Sequence, residues 1–199
     1  MGAKRLLVAA AAAASFAGLA VSAERAPDSG PSRRAHFAAI VVNPRAVAIG
    51  STVLLGRQTR TDHCKLGPNP DRACSPGAYY TGLTKRTICS DTFRTSSVRH
   101  VTDGTKRAVE IAYGLEPKSY GSALEIDHIV SLELGGSNEP ANLFPERADA
   151  RPGYRFKDKL ENRLHDLVCA GDIKLRDARR QISADWQKLY TRVFGVKPG

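Results

Sequence analysis

The sequence has no glycine-rich nucleotide loop and no serine or cysteine nucleophile motif, so neither P-loop phosphate cradling nor acyl-enzyme chemistry has a foothold. It contains no internal repeat, which excludes solenoid and propeller architectures. No two of its four cysteines, Cys64, Cys74, Cys89 and Cys169, have the close spacing of a structural zinc knuckle. Acidic residues are the scarce charge, 20 against 30 Lys and Arg, for a formal net charge of +10. The apolar run from Leu6 to Ala14, continued through Phe16 to Ala20, is too short and too alanine-rich for a membrane span.

That run has a different explanation. Lys4 and Arg5 precede it, and the small residues Val21, Ser22 and Ala23 close it, the pattern of a secretory signal cleaved after Ala23. No cysteine follows the cleavage point, so no lipid anchor is expected, and the chain is expected to be exported, periplasmic or extracellular. Residues 24–36 are polar, with Pro27, Gly30 and Pro31, and read as a flexible leader. Residues 37–199 are long enough for a single domain with one sizeable core. The cleaved chain keeps 28 basic and 20 acidic residues, a balance that suits a polyanionic partner or simply a soluble basic protein. No protein partner is evident. An even cysteine count in an exported chain predicts two disulfides, with three possible connectivities, one of which must reach the helix carrying Cys169.

The elements point to an α+β fold. Phe37 to Leu55 reads as two short strands, residues 61–82 as a long disulfide-held loop, and Thr87 to Val101 as a strand or two. Thr105 to Tyr113 predicts a short helix capped by Asp103 and ended by Gly114. Alternation from Leu124 to Val130 predicts a strand before a turn at Gly135-Gly136. Phe156, Leu160, Leu164, Leu167 and Val168 fall at helical spacing before Gly171, and a last helix from Leu175 to Val193 buries Ala178, Ile182, Trp186 and Leu189.

Chemistry concentrates at Asp127-His128. Phosphodiester hydrolysis at neutral pH needs an activated water and a counter-charge for the reacting phosphate, and a histidine beside a cation-binding carboxylate offers both. Successive strand residues face opposite ways, so the two side chains diverge.

Leu124 to Glu146, reading LEIDHIVSLELGGSNEPANLFPE, resembles the HNH endonucleases. The longer stretch from about residue 64 to 194 is similar to an exported bacterial subgroup, through Cys74 to Gly77, Ile88-Cys89, Tyr113-Gly114, Lys157 to Glu161 and Val168-Cys169. The resemblance implies a ββα-metal finger, with its core at about residues 105–170, additional helices and a disulfide-tied N-terminal loop and strand region. It implies His128 as general base, Asp127 as ligand of a divalent cation, and Asn142 as the asparagine that orients the histidine and braces the loop. Asn138, in a Gly-Gly-Ser-Asn turn, is the second choice for that role.

The compact family pattern puts its final ligand about nine residues after the middle asparagine, where this chain has Arg151, so that ligand is sought in the following helix. Asp158, Asn162 and His165 share one stripe of it; Asn162 is favoured, then His165, then Asp158. Oxygen ligands imply Mg²⁺ or Mn²⁺, whereas His165 would favour Zn²⁺ or Ni²⁺. Arg147, Arg151, Arg155 and Lys157 are expected at the phosphate, with Lys174, Arg176, Arg179 and Arg180 extending that basic surface. The expected function is a metal-dependent endonuclease acting on DNA, or RNA also. The alternative is an exported non-catalytic protein that uses the same scaffold to bind nucleic acid or another polyanion.

Overall fold

Turn chemistry divides the chain into short elements. β1 (Thr52–Leu54) pairs antiparallel with β2 (Ala78–Tyr80), and the Gly-, Pro- and Asn-rich connection between them is closed by the Cys64–Cys74 disulfide. The computed structural model describes residues 47–148 and 153–198, all within one compact unit. The expected signal segment, the leader, the first of the two strands after Phe37, and Arg151 lie outside the described residues.

Thr87 to Val101 forms no strand, contrary to expectation. Thr84 Oγ1 accepts from Thr87 N and starts α1 (Lys85–Ile88), and a 3-10 turn, Thr95–Ser97, follows. In α2 (Asp103–Ala112) the cap is Thr102, whose hydroxyl accepts from Thr105 N at 3.1 Å; Asp103 sits in the first turn, where its charge complements the helix dipole.

β3 (Leu124–His128) and β4 (Leu143–Arg147) make an antiparallel pair, with Asp127 opposite Phe144 and Glu125 opposite Glu146. Their connection folds back tightly through 3-10 turns at Leu132–Leu134 and Pro140–Asn142. Gly136 lies so close to the preceding backbone that a Cβ there would stand 1.7 Å from the Val130 carbonyl oxygen. Asn142 holds this connection together. Its Oδ1 accepts from Ala78 N and Val130 N at 3.0 Å each, and its Nδ2 donates to Val130 O at 3.0 Å and Ser137 O at 2.8 Å. Asn142→Ala is expected to lose about 2–3 kcal/mol, because it strands buried backbone groups of three segments without partners. Urea unfolding checks this; a loss below about 1 kcal/mol would show that the loop is held by other contacts.

The amphipathic helix α3 (Tyr154–Ala170) follows and stops at Gly171, whose φ of +96° suits glycine. The expected final helix is two helices, α4 (Leu175–Ala184) and α5 (Trp186–Phe194). Asp185 is extended between them, and its side chain caps α5 by accepting from Lys188 N at 3.0 Å. Ala178, Ile182, Trp186 and Leu189 are buried, as their spacing predicts, against Leu160, Leu164 and Val168 of α3. Burial of these apolar side chains is the main favourable term holding α3, α4 and α5 together.

The class is therefore α+β. The second disulfide, Cys89–Cys169, joins the end of α1 to α3 across 80 residues of chain. Two such bridges fit a chain that matures in an oxidising compartment. Among the described residues, no helix is long and apolar enough to cross a membrane.

Candidate functional site

The β3–β4 register places Asp127 and Glu146 on the same face of the hairpin as diagonal neighbours. On α3, Lys157 and Glu161 stand one turn apart on the inward side, beside buried Leu160 and Leu164. Packing brings all four together. Lys157, only 1% exposed, donates to Asp127 Oδ2 at 2.5 Å, to the His128 carbonyl at 2.7 Å and to Glu161 Oε1 at 2.5 Å, with Glu146 Oε2 at 3.7 Å. An ammonium group has three protons, and all three are engaged.

Three carboxyl groups around one ammonium group cannot all stay ionised in a buried site. Burial alone would raise Asp127, but the Lys157 charge beside it holds its carboxyl below the usual range. Burial pushes Glu146 well up, and it pushes Glu161 up to about 8. Burial works against the Lys157 charge, yet its acidic neighbours keep that group protonated well above the usual lysine range. The Asp127–Lys157 ion pair is thus flanked by two acids whose ionised form is disfavoured. Lys157→Met is expected to lower stability by about 3 kcal/mol, the low end for a buried pair, since it leaves the Asp127 carboxylate, 16% exposed, uncompensated. The double variant Lys157→Met/Asp127→Asn should recover much of that in urea unfolding, because no unpaired charge remains. Equal losses in the single and double variants would refute the ion-pair account.

His128 points to the other side of the strand and is buried, which lowers its imidazolium pKa to about 4 and keeps the ring neutral. Its tautomer follows from its neighbours. Asn138 Nδ2 donates to the Val98 carbonyl at 2.8 Å, so Asn138 Oδ1 is the atom 3.2 Å from His128 Nε2. An amide oxygen only accepts, so Nε2 carries the proton and Nδ1 keeps the lone pair. Asn138 itself is held by Tyr80, whose hydroxyl accepts from its backbone N at 3.1 Å. The amide that touches the histidine is therefore Asn138, whereas Asn142 braces the loop backbone without a hydrogen bond to the ring.

Asp127 also lines a cavity of about 350 Å³ with Arg99, Lys106, Tyr120 and Glu125. Arg99 and Lys106 are exposed cations that sequence reasoning missed, since neither lies in the motif stretch. A larger, mainly apolar cavity of about 610 Å³ beside Cys64 and Cys74 contains none of these groups.

Several expected site residues are placed elsewhere. Asn162 and His165 line a different cavity with Glu133, and His165 Nε2 donates to the Ile88 carbonyl at 3.1 Å rather than meeting Asp127. Asp158 is the member of that stripe whose charge is felt at Asp127 and Glu125. Lys157 is buried with every proton committed, so it holds Asp127 and does not contact phosphate. Arg147 and Arg155 are exposed, as phosphate contacts require. Arg179 is buried over the Tyr79 ring, donating to the Leu134 and Leu83 carbonyls, and does not belong to a basic surface.

A cation at Asp127 would find hard oxygen donors in the Asp127 and Glu125 carboxylates, which line one cavity. That fits a hydrated Mg²⁺ or Mn²⁺, which binds through one or two carboxylates and retains several waters. His165, donating to the Ile88 carbonyl, lies at a different cavity from Asp127. Among the described residues, the one group of three His, Cys, Asp or Glu donors within metal-binding reach is Cys89, His165 and Cys169, whose cysteines are bridged. Comparison of the chain with protein-family models, curated proteins and solved structures finds no match.

Proposed function

We propose that the protein is an exported, metal-dependent endonuclease that hydrolyses phosphodiester bonds of DNA, and of RNA where the strand can reach the site. The observation that carries this reading is the neutral His128 ring, held through Nε2 by Asn138, next in sequence to a carboxylate held ionised by a buried lysine. The hairpin β3–β4 followed by α3 has the chain order of the ββα-metal finger implied by the Asp-His motif.

Asp127 would hold a divalent cation, which when bound would supply charge stabilisation for the phosphate and the leaving oxygen. His128 Nδ1 accepts a proton from water as the water oxygen bonds to phosphorus and the ester P–O bond breaks; the proton then returns to solvent. Arg99 and Lys106 at the Asp127 cavity, with Arg147, hold phosphate oxygens and add to the attraction that the net positive charge exerts on a polyanion.

One observation favours the second reading, a non-catalytic polyanion binder: Lys157 already occupies one Asp127 oxygen, so the site is neutralised without a metal. Incubation of supercoiled plasmid with the oxidised protein in Mg²⁺, Mn²⁺ or EDTA separates the two. Nicking that EDTA abolishes supports the nuclease. Full activity in EDTA excludes the metal, and salt-sensitive binding without nicking favours the binder.

A further inference from the structure

The Cys89–Cys169 disulfide has a histidine against it. His165 and Cys169 lie one turn apart on α3, with His165 Nε2 3.5 Å from Cys169 Sγ. The donor atoms of Cys89, His165 and Cys169 all lie within 4.8 Å of one another. These residues line a cavity of about 430 Å³ together with Glu133, Asn162 and Asp166. Glu133 adds a second anomaly, since its Oε2 is sealed from solvent and has no hydrogen-bond partner. An acceptor without a donor, beside two sulfurs and an imidazole, suits a cation.

We propose that, once its disulfide is reduced, this cluster is a zinc site. Cys89 Sγ, Cys169 Sγ and His165 Nε2 are the protein ligands, water from the cavity takes the fourth position, and the Glu133 carboxylate supplies neighbouring negative charge. Tetrahedral Zn²⁺ at about 2.3 Å from sulfur and about 2.0 Å from nitrogen sets its ligand atoms roughly 3.3–3.8 Å apart. The 3.5 Å between His165 Nε2 and Cys169 Sγ already meets that requirement, and only the bonded sulfurs have to part. Thiolate and imidazole suit zinc, whereas the hard oxygens at Asp127 do not select it. The site is therefore separate from the proposed catalytic one and does not rest on that reading.

The redox step balances with a dithiol as reductant. It delivers two electrons and two protons, the Cys89–Cys169 bond breaks to two thiols, and the reductant's own sulfurs join as a disulfide. Zn²⁺ displaces both thiol protons to solvent. His165 gives up its hydrogen bond to the Ile88 carbonyl, and its ring proton moves from Nε2 to Nδ1 through solvent. Disulfide and metal are thus alternative ties between α1 and α3, one for oxidising and one for reducing surroundings.

The test titrates the full protein with Co²⁺ alone, after reduction with a dithiol and anaerobic removal of the reductant. The expected result is one tightly held Co²⁺ per chain, with sulfur-to-cobalt charge-transfer absorption and tetrahedral d–d bands that Zn²⁺ abolishes. The oxidised protein should show neither. His165→Ala should weaken binding by more than the roughly 10- to 100-fold that loss of an outer partner costs. Cys64→Ser, at the other bridge, should leave the affinity unchanged. Absence of thiolate bands, or equal affinity in wild type and His165→Ala, overturns the proposal. If reduction unfolds the chain, Co²⁺ must restore the near-UV circular dichroism; failure to do so overturns it as well.

Discussion

Substitution of His128 by alanine is expected to lower metal-dependent plasmid nicking by on the order of 100- to 10,000-fold, the usual contribution of a positioned general base. His128 is 3% exposed and its ring is fixed through Nε2, so the only ring atom left for chemistry is Nδ1. Alanine removes that atom. Asn138→Leu should give a smaller loss, because the base is retained but the acceptor that selects its tautomer is gone. The two variants make a graded test: both must keep the near-UV circular dichroism of the parent, and His128→Ala must be the more impaired. Nicking by His128→Ala at the parental rate would remove this residue from the mechanism.

How much of this was legible beforehand differs by element. Helix α3 and the buried face of α4 and α5 follow from the spacing of Leu160, Leu164, Ile182, Trp186 and Leu189, because burial of a periodic apolar stripe is a local rule with a global result. The break at Asp185 was hidden because neither proline nor glycine marks it; the aspartate itself, a favoured N-cap residue, was the available signal. Asp127 and His128 stood out as residue types, yet their partners did not.

Lysine is almost never fully buried, so Lys157 read as a surface cation. Its position three and seven residues before Leu160 and Leu164 puts it on the inward face, and Glu161 one turn later was the clue that its charge has an internal partner. Of the stripe Asp158, Asn162 and His165, the last two line a different cavity, whereas Asp158 is the member whose charge is felt at Asp127. The roles of Asn138 and Asn142 depend on the fold of the connection around Gly136, which brings backbone from three segments to one amide. No spacing rule carries that information.

Removal of the Cys89–Cys169 bridge, as Cys89→Ala/Cys169→Ala, is expected to cost about 4.5 kcal/mol by loop entropy alone, for its 80-residue separation. The same reasoning assigns about 2.7 kcal/mol to Cys64–Cys74, whose separation is 10. The long bridge should therefore matter more, and its loop encloses α2, the β3–β4 hairpin and nearly all of α3, including Lys157. Unfolding the bridge-free chain releases every element that positions Asp127 and His128. Urea midpoints of the two double-alanine variants decide the matter at constant m, since a change in m would report a more expanded denatured chain instead. A loss at Cys64–Cys74 equal to or above that at Cys89–Cys169 would mean that native contacts in the 61–82 loop, not chain entropy, set the value of these bridges.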